Sequence, residues 1–294
     1  MANILGIGNA TLDVINTVND YPTEDDEVRS ISQRIVRGGN VANTLVVLSQ
    51  LGHNCTWGGV CVNDLFGQQI IADLNSYAIN IDYCKLESQG SVPTSYVTLN
   101  KRNGSRTIVH HRNLPEYNFT DFKIIDITDF DWIHFEGRNI IEIAKMLTRV
   151  REKYPNIPIS LEAEKPRPNI DSLFSKVDFL LFSKFFAKNY IPTDDAALFL
   201  QNIRKLSANN LICAWGADGA YALDTAENIL YSNAYPPSQI IDTLGAGDTF
   251  NAGIIDSLCK QQDLAIALKH GCKLAGKKCG QLGFKGLVSD YFKL

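Results

Sequence analysis

The sequence has neither the cysteine pattern of a zinc site nor an apolar run long enough to cross a membrane. Its seven cysteines are scattered, and none forms a CxxC pair or belongs to a Cys/His array. No basic segment followed by an apolar stretch opens the chain, so no secretory signal is expected. These absences predict reduced thiols in a cytoplasmic protein that is not attached to a membrane.

An excess of positive charge is also missing. The 28 Lys and Arg residues are outnumbered by 32 Asp and Glu residues, which gives a net charge of -4. This balance argues against nucleic acid or an anionic membrane as a partner. A phosphate ligand would therefore have to be bound locally, by backbone amides and a few cations.

The rest of the chain alternates apolar strands with amphipathic helices. This alternation predicts an α/β fold, with a doubly wound and mostly parallel sheet flanked by helices. Strands are predicted over residues 2–7, 56–62, 79–86, 132–135, 157–161, 179–182, 210–215 and 220–223. Helices are predicted over residues 40–51, 64–77, 139–154, 194–206, 247–260 and 263–280.

Two segments, residues 13–35 and 91–111, depart from this alternation. Apolar and polar residues alternate on both sides of a polar turn in each, which predicts two β-hairpins. The remainder, residues 1–12, 36–90 and 112–294, is predicted to form the α/β core. The hairpins together would make a four-stranded sheet, and so thin a sheet needs a substrate cleft or another subunit against one face.

The segment 242–251 reads DTLGAGDTFN and is the most informative in the chain. Its glycines permit a tight turn before an apolar helix, and the free amides at such a helix start form an anion site. Asp248 would repel a phosphate bound there. Its presence makes sense if its carboxylate removes a proton from the attacking hydroxyl. The alternative is that Asp248 only caps the helix. The whole run, with Asp242 upstream, favours phosphoryl transfer. The predicted catalytic residues are Asp248 as general base and Gly245, Ala246 and Gly247 as anion hole.

A second glycine turn precedes the helix at residues 40–51. Asn40 and Asn43 are three residues apart and therefore share a helix face next to Gly39. Together with Asp13 they would form a pocket rich in hydrogen-bond donors and acceptors, as a polyhydroxyl compound requires. Simple helix initiation is the alternative interpretation.

Three further positions each have two interpretations. Arg106 lies beside a hairpin turn, where it could reach a phosphate or be solvated. Glu164 follows a buried strand, where it could hold Mg²⁺ through water or be a solvated loop carboxylate. The glycine turn at residues 215–219 could be a bare hairpin or the floor of a nucleotide site.

The content and order of these motifs resemble the ribokinase-like (PfkB) carbohydrate kinases, from about residue 6 to residue 286. The resemblance is carried by Gly38–Gly39, by DLFG at 64–67 and by the run at 242–248. Shorter stretches, among them GSRT at 104–107, WIHFEGRN at 132–139, EKPR at 164–167 and GKKCG at 276–280, are most similar to members that phosphorylate fructose. The resemblance implies transfer of the γ-phosphate of ATP to the C1 hydroxyl of fructose. It also implies Mg²⁺ as cofactor, with K⁺ as an additional candidate.

The same resemblance assigns residues to ligands. It implies sugar binding by Asp13, Gly39, Asn40 and Asn43, and a homodimer in which the small sheet is lid and clasp and brings Asp25 to the partner's sugar. It implies nucleotide binding by Arg106, Gly216, Ala217, Asp218, Gly219 and the run Gly245, Ala246, Gly247, Asp248, with Cys272 near the adenine.

The sequence departs from the family pattern in one segment, and several alternative functions stay open. Residues 183–186 read SKFF where many members have Asn-x-x-Glu, so the usual magnesium-linked glutamate is absent there. Rival acceptors are ribose, another ketose, a hexose phosphate or a nucleoside, whose base Tyr96 could stack. The predicted sugar pocket offers no cations for a phosphosugar. A sugar- or nucleotide-binding protein without catalytic activity is the rival from another class.

Overall fold

The computed structural model describes residues 1–289; the end of the predicted core range, residues 290–294, lies outside the described residues. The strands are β1 (Asn3–Ile7), β2 (Thr11–Val18), β3 (Ser32–Gly38), β4 (Asn54–Gly58), β5 (Val60–Val62), β6 (Lys85–Glu87), β7 (Thr94–Asn100), β8 (Arg106–His111), β9 (Trp132–Glu136), β10 (Ile159–Ala163), β11 (Phe179–Ser183), β12 (Asn210–Ala214), β13 (Ala220–Leu223) and β14 (Ile229–Ser232). The helices are α1 (Asn40–Gln50), α2 (Leu65–Ser76), α3 (Phe119–Phe122), α4 (Ile140–Lys153), α5 (Lys184–Tyr190), α6 (Ala196–Ile203), α7 (Ala246–Cys259) and α8 (Leu264–Cys279). None of these helices is long and apolar enough to span a membrane.

The larger sheet has eight strands in the order β14-β13-β12-β11-β10-β9-β1-β4. Neighbouring strands from β4 to β12 are parallel, and β13 and β14 extend the sheet antiparallel. Strands covered on both faces read as continuous apolar runs, and Ile133, Leu161 and Leu180 are fully buried. The predicted α/β class and mostly parallel sheet are confirmed.

The second sheet, called the small sheet below, has four strands in the order β3-β2-β7-β8. Two antiparallel hairpins, β2–β3 and β7–β8, are joined by the parallel pairing of β2 with β7. Both predicted hairpins are therefore confirmed, although the first extends beyond residues 13–35 in both directions. The small sheet buries Leu12 and Ile15 but exposes Ile35, Ile108 and Val109. Its role as lid and clasp stays a prediction.

Two predicted strands are wrong. Residues 56–62 do not form one strand, because the chain leaves the larger sheet after Gly58 and Val60–Val62 pairs with β6 in a separate two-stranded sheet. Residues 79–86 form only an isolated bridge between Thr56 and Asn80 before the short strand β6. Helix α5 and strand β14 were not predicted from the sequence.

The first turns of helices α1 and α7 carry residues of the candidate site. Each begins after a glycine with positive φ, which is 100° at Gly39 and 77° at Gly245. A β-carbon at Gly39 would collide with the backbone of Asn9, and one at Gly245 would collide with the ring of Phe284. The first turns of both helices can therefore approach neighbouring chain segments closely.

Candidate active site

Asp248 lies in the first turn of α7 and is held from α1. The Nδ2 group of Asn43 donates a hydrogen bond to Oδ2 of Asp248 at 2.6 Å, and the hydroxyl of Thr44 donates to its main-chain oxygen at 3.3 Å. Only 8% of Asp248 is exposed. The carboxylate predicted to be the base is therefore buried and oriented by a neighbouring helix.

The surroundings of Asp248 shift its acidity. Burial raises the pKa of Asp248 to about 7, and the charges of Glu164 and Glu136 act in the same direction. The hydrogen bond from Asn43 and the positive charge of Arg37 oppose this rise. A carboxyl group whose pKa lies near neutrality is well matched to general-base catalysis.

Two buried glutamates near Asp248 were not predicted as site residues. Glu136, the last residue of β9, accepts a hydrogen bond from the main-chain N–H of Asn9 at 2.9 Å. Glu162, near the end of β10, accepts one from Nδ2 of Asn40 at 3.2 Å, and its Oε2 has no partner among the described residues. Burial, together with the charge of Asp248, raises the pKa of Glu162 well above its ordinary value. Their position at the carboxyl ends of neighbouring parallel strands is the signal that could have identified them.

Asp13 lies on β2, where it pairs in register with Ser95 of β7. Its carboxylate accepts a hydrogen bond from the hydroxyl of Thr11 at 3.3 Å. Burial raises the pKa of Asp13, while hydrogen bonds from Ser95 and Thr11 and the charges of Arg37 and Arg106 lower it. Arg106 itself is exposed on β8. Its charge acts on Asp13, which belongs to the proposed sugar side of the site.

The two asparagines of α1 have different partners. Asn40 bonds to Glu162, whereas Asn43 accepts a hydrogen bond from Arg37 and donates one to Asp248. The sequence placed both in a sugar pocket, but both polar groups of Asn43 are engaged by protein. Asp25 is exposed in the loop between β2 and β3, and its φ is 65°.

The turn before α7 is fixed by Asp242. Its carboxylate accepts a hydrogen bond from the N–H of Leu244 at 3.0 Å and pairs with Arg34 and Lys278, each at 3.3 Å. The hydroxyl of Thr249 donates to the main-chain oxygen of Gly245 at 2.8 Å. The first turn of α7 presents main-chain N–H groups, an arrangement that suits an anion, although the N–H of Ala246 also donates to the main-chain oxygen of Thr243 at 3.3 Å.

A cavity of about 310 Å³ adjoins the start of α7. Six of the predicted nucleotide residues line it: Gly216, Ala217, Gly219, Ala246, Gly247 and Cys272. Residues missed by sequence reasoning also line it, among them Tyr235, Pro236, Pro237, Ala275 and Cys279. Its walls are mostly small or apolar, which suits the planar base of a nucleotide.

Asp218 and Glu164 are not among the residues that line this cavity. Asp218 forms an ion pair with Lys184 at 2.9 Å, and its side chain is 63% exposed. The half-exposed Glu164 follows β10 and lies 3.8 Å from Nζ of Lys165. Among the described residues, no three His, Cys, Asp or Glu side chains are grouped to hold a metal ion.

The chain is similar to several known proteins. Ketohexokinase from Mus musculus is 42% identical over 97% of this chain and 98% of its own length. Ribokinase from Bacillus subtilis (strain 168) is 25% identical over 97% and 96%. A putative ribokinase from Agrobacterium tumefaciens has the same fold, with a TM-score of 0.83, 19% identity, and coverage of 96% of this chain and 92% of that one. Arabidopsis thaliana ribokinase, solved in complex with ribose and ATP, has a TM-score of 0.78, 18% identity, and coverage of 96% and 94%.

These likenesses extend over nearly the whole chain. Residues 1–287 match the pattern described as pfkB family carbohydrate kinase. The chain belongs to the pfkB family of carbohydrate kinases.

Proposed function

We propose that this enzyme transfers the γ-phosphoryl group of ATP to the C1 hydroxyl of fructose. The observation that carries the proposal is the buried carboxylate of Asp248 in the first turn of α7, beside a cavity that suits a nucleotide base. The likeness to mouse ketohexokinase supports a ketohexose as the acceptor.

The geometry suits an in-line displacement. Asp248 takes the proton of the sugar hydroxyl, the hydroxyl oxygen bonds to the γ-phosphorus, and the bond from that phosphorus to the departing ADP breaks. The amides of Ala246, Gly247 and Asp248 stabilise the charge that develops on the transferring group. Positioning and charge stabilisation supply most of the catalysis, as is usual for phosphoryl transfer.

The sugar would lie between the small sheet and α1. Asp13 accepts hydrogen bonds there from hydroxyl groups, and Asn40 and the amide of Gly39 add donors from the start of α1. Asn43 acts on the sugar through Asp248, because its own amide is engaged by protein.

The half-exposed carboxylate of Glu164 fits a Mg²⁺ ion that is held mainly by phosphate oxygens and water. Glu164 would contact the ion through a water molecule. When bound, Mg²⁺ neutralises charge on the phosphates. K⁺ is a second candidate ion. We also propose the cytoplasm as the site of action, since the described cysteines are all free thiols.

An assay for ADP formation tests the proposed acceptor. Purified enzyme with Mg-ATP should release ADP fastest with fructose, and more slowly with other ketoses, aldoses, ribose and nucleosides. The product should carry its phosphate on C1, which NMR can establish. Faster turnover with ribose or a nucleoside would overturn fructose as substrate, and no ADP with any acceptor would overturn the kinase activity.

Arg106 is proposed to contact the nucleotide when the small sheet closes over the site. The variant Arg106→Ala should therefore raise KM for ATP more than KM for fructose. Steady-state kinetics with each substrate varied separately would measure this. Arg102→Ala is the matched control, because Arg102 lies in the same hairpin turn and is 67% exposed. A larger rise in the KM for fructose would instead place Arg106 in the sugar pocket, where its charge already acts on Asp13.

The exposed apolar side chains of the small sheet support a homodimer in which two small sheets pack together. Ile35 is 41% exposed, Tyr96 51% and Val109 67%, and the strand register places all three on one face of the four-stranded sheet. So thin a sheet gains stability when a second apolar surface covers it. Such packing would bring the partner subunit's Asp25 to the sugar.

A charge introduced into this face should dissociate the dimer. Val109→Glu should elute as a monomer in size-exclusion chromatography with light scattering, while the unmodified chain elutes as a dimer. The monomeric variant should also have a higher KM for fructose, because the partner subunit's Asp25 is lost. Ile124→Glu, at a site that is 72% exposed outside the small sheet, is the control and should stay dimeric. A dimeric Val109→Glu would contradict this interface.

A further inference from the structure

A chain of hydrogen bonds leads from the protein surface to the proposed base. Nε of Arg37 donates to the carboxylate of Asp73 at 2.5 Å, and Nη1 of Arg37 donates to Oδ1 of Asn43 at 2.7 Å. Nδ2 of Asn43 then donates to Asp248 at 2.6 Å. The side chain of Arg37 is 3% exposed and that of Asp73 is 38% exposed. Arg37 is thus a buried cation whose donors are used on both sides.

The chemistry of arginine fixes the orientation of the Asn43 amide. A guanidinium group donates hydrogen bonds and accepts none, and it stays protonated in proteins. The atom of Asn43 that faces Arg37 must therefore be the carbonyl oxygen. The amide nitrogen must then face Asp248, where it can only donate. The Asn43 amide nitrogen donates well to an ionised Asp248 and cannot accept a hydrogen bond from a protonated one.

We propose that Arg37 is a positioning residue for catalysis, which locks Asn43 as a hydrogen-bond donor and thereby keeps Asp248 ionised as the base. This inference rests on the proposed function, because it requires Asp248 to accept the proton of the sugar hydroxyl.

The charges around Asp248 show why its ionised form needs a hydrogen-bond donor. Asp248 faces Glu136 at the end of β9 and Glu162 and Glu164 at the end of β10, and each of these carboxyl groups opposes its ionisation. Asn43 from α1 and Arg37 from β3 act in the opposite direction. Arg138 lies 3.6 Å from Glu136 and offsets part of that charge. The donor from Asn43 is the largest influence that favours the ionised form.

Packing holds Arg37 in place. The guanidinium carbon lies 5.9 Å from the centroid of the Phe284 ring, and that ring also contacts the position of Gly245. The group that orients the base and the turn that forms the anion hole therefore share one aromatic support.

The test is the pH dependence of kcat in Arg37→Met. Without the guanidinium, the Asn43 amide is free to flip and to accept a hydrogen bond from protonated Asp248, so the pKa of the base should rise. We expect the acidic limb of the kcat profile to move up by about one pH unit, which lowers kcat by about fivefold at pH 7 and by about tenfold well below pH 7. The deficit should shrink as the pH rises, and KM for ATP should change by less than about twofold. A merely structural lesion would lower kcat at every pH.

Three further variants make the test specific. Arg37→Lys keeps a cationic donor for Asn43 and should restore most of the unmodified profile. Arg151→Met removes another partly buried arginine paired with a carboxylate, Asp178 at 2.6 Å, and should leave the profile unmoved. In an Asn43→Ala background, adding Arg37→Met should produce a much smaller shift, because only the direct charge of Arg37 is then lost. Thermal unfolding establishes that each variant is folded.

The outcomes separate this inference from the proposed function. An active unmodified enzyme with an unshifted Arg37→Met profile overturns the role of Arg37 alone. A shift of equal size in the Asn43→Ala background also overturns it, since Arg37 would then act through charge only. An unmodified enzyme that forms no ADP with any acceptor overturns the proposed function, and the role of Arg37 with it.

Discussion

Replacing Asp248 by asparagine should lower kcat by roughly 10²–10⁴-fold, the range typical of a positioned general base. Asparagine has nearly the same shape and keeps an oxygen that can accept the hydrogen bond from Asn43. It cannot take a proton from the sugar hydroxyl. The loss should therefore appear in kcat, while the affinities for ATP and sugar change little. Single-turnover ADP formation and calorimetric ATP binding measure the two effects.

The pH profile of the unmodified enzyme gives a second measurement on the same residue. The pKa of Asp248 is raised to about 7. Because the base must be deprotonated, kcat should increase as the pH rises through this value and then level off. Asp248→Asn should lack this limb. A fully active Asp248→Asn variant would rule out proton abstraction by this side chain.

Replacing Asp242 by alanine should lower the free energy of unfolding by about 3–5 kcal/mol, as expected when a buried ion pair loses one partner. The side chain of Lys278 is fully buried, lies 3.3 Å from the Asp242 carboxylate, and also donates to the main-chain oxygen of Asp242 at 3.1 Å. Without Asp242 its charge would be buried beside Arg34 with no carboxylate partner among residues 1–289. Denaturant unfolding measures the loss.

The contribution of the Asp242–Lys278 ion pair to stability depends on pH, and the direction of this dependence follows from the pKa of Asp242. Burial alone would raise the pKa of Asp242, but the charge of Lys278 and the hydrogen bond from Arg34 hold it below its ordinary value. The contribution to stability is therefore complete above the ordinary carboxyl range and is lost as the pH falls through the lowered pKa. In Asp242→Ala this acid-sensitive part of the stability should be missing.

Asp194→Ala is the matched control for an exposed ion pair. Asp194 pairs with Lys188, and its side chain is 89% exposed. Such surface pairs contribute about 0–1 kcal/mol, so the control should unfold almost as the unmodified chain does. If Asp242→Ala were no more destabilising than Asp194→Ala, the buried pair would not be what fixes the turn before α7.

The order of strands and helices could be predicted largely from apolar periodicity, and the errors have physical causes. Ile79 is 2% exposed in an irregular segment, so its burial there imitates that of a strand residue. In residues 56–62 the apolar pattern runs through two adjacent glycines, and the pattern alone does not show that the chain changes sheets at Gly58. Helix α5 has only seven residues, too few for a clear helical period.

The candidate site was predictable where one short segment carries it, as in the run Gly245–Asp248. It was not predictable where partners are distant in sequence. Asn43 and Asp248 are 205 positions apart, and no local pattern shows that one amide orients the other. The walls formed by residues 235–237 were missed for a related reason, since prolines and a tyrosine in a loop resemble an ordinary connection. Tertiary packing alone reveals these relations.

The cavity proposed to bind the nucleotide has a consequence for the choice of phosphoryl donor. Its walls are built mainly from Gly, Ala, Pro and other small or apolar side chains, so few side-chain groups are available to read the edge of a purine. A pocket that recognises its ligand by shape distinguishes similar ligands by only about 10–200-fold, whereas a pocket built around hydrogen bonds can reach about 10⁴-fold. Selectivity for adenine over guanine would then depend on main-chain groups. Which triphosphate the enzyme uses in the cell would depend also on the abundance of each one.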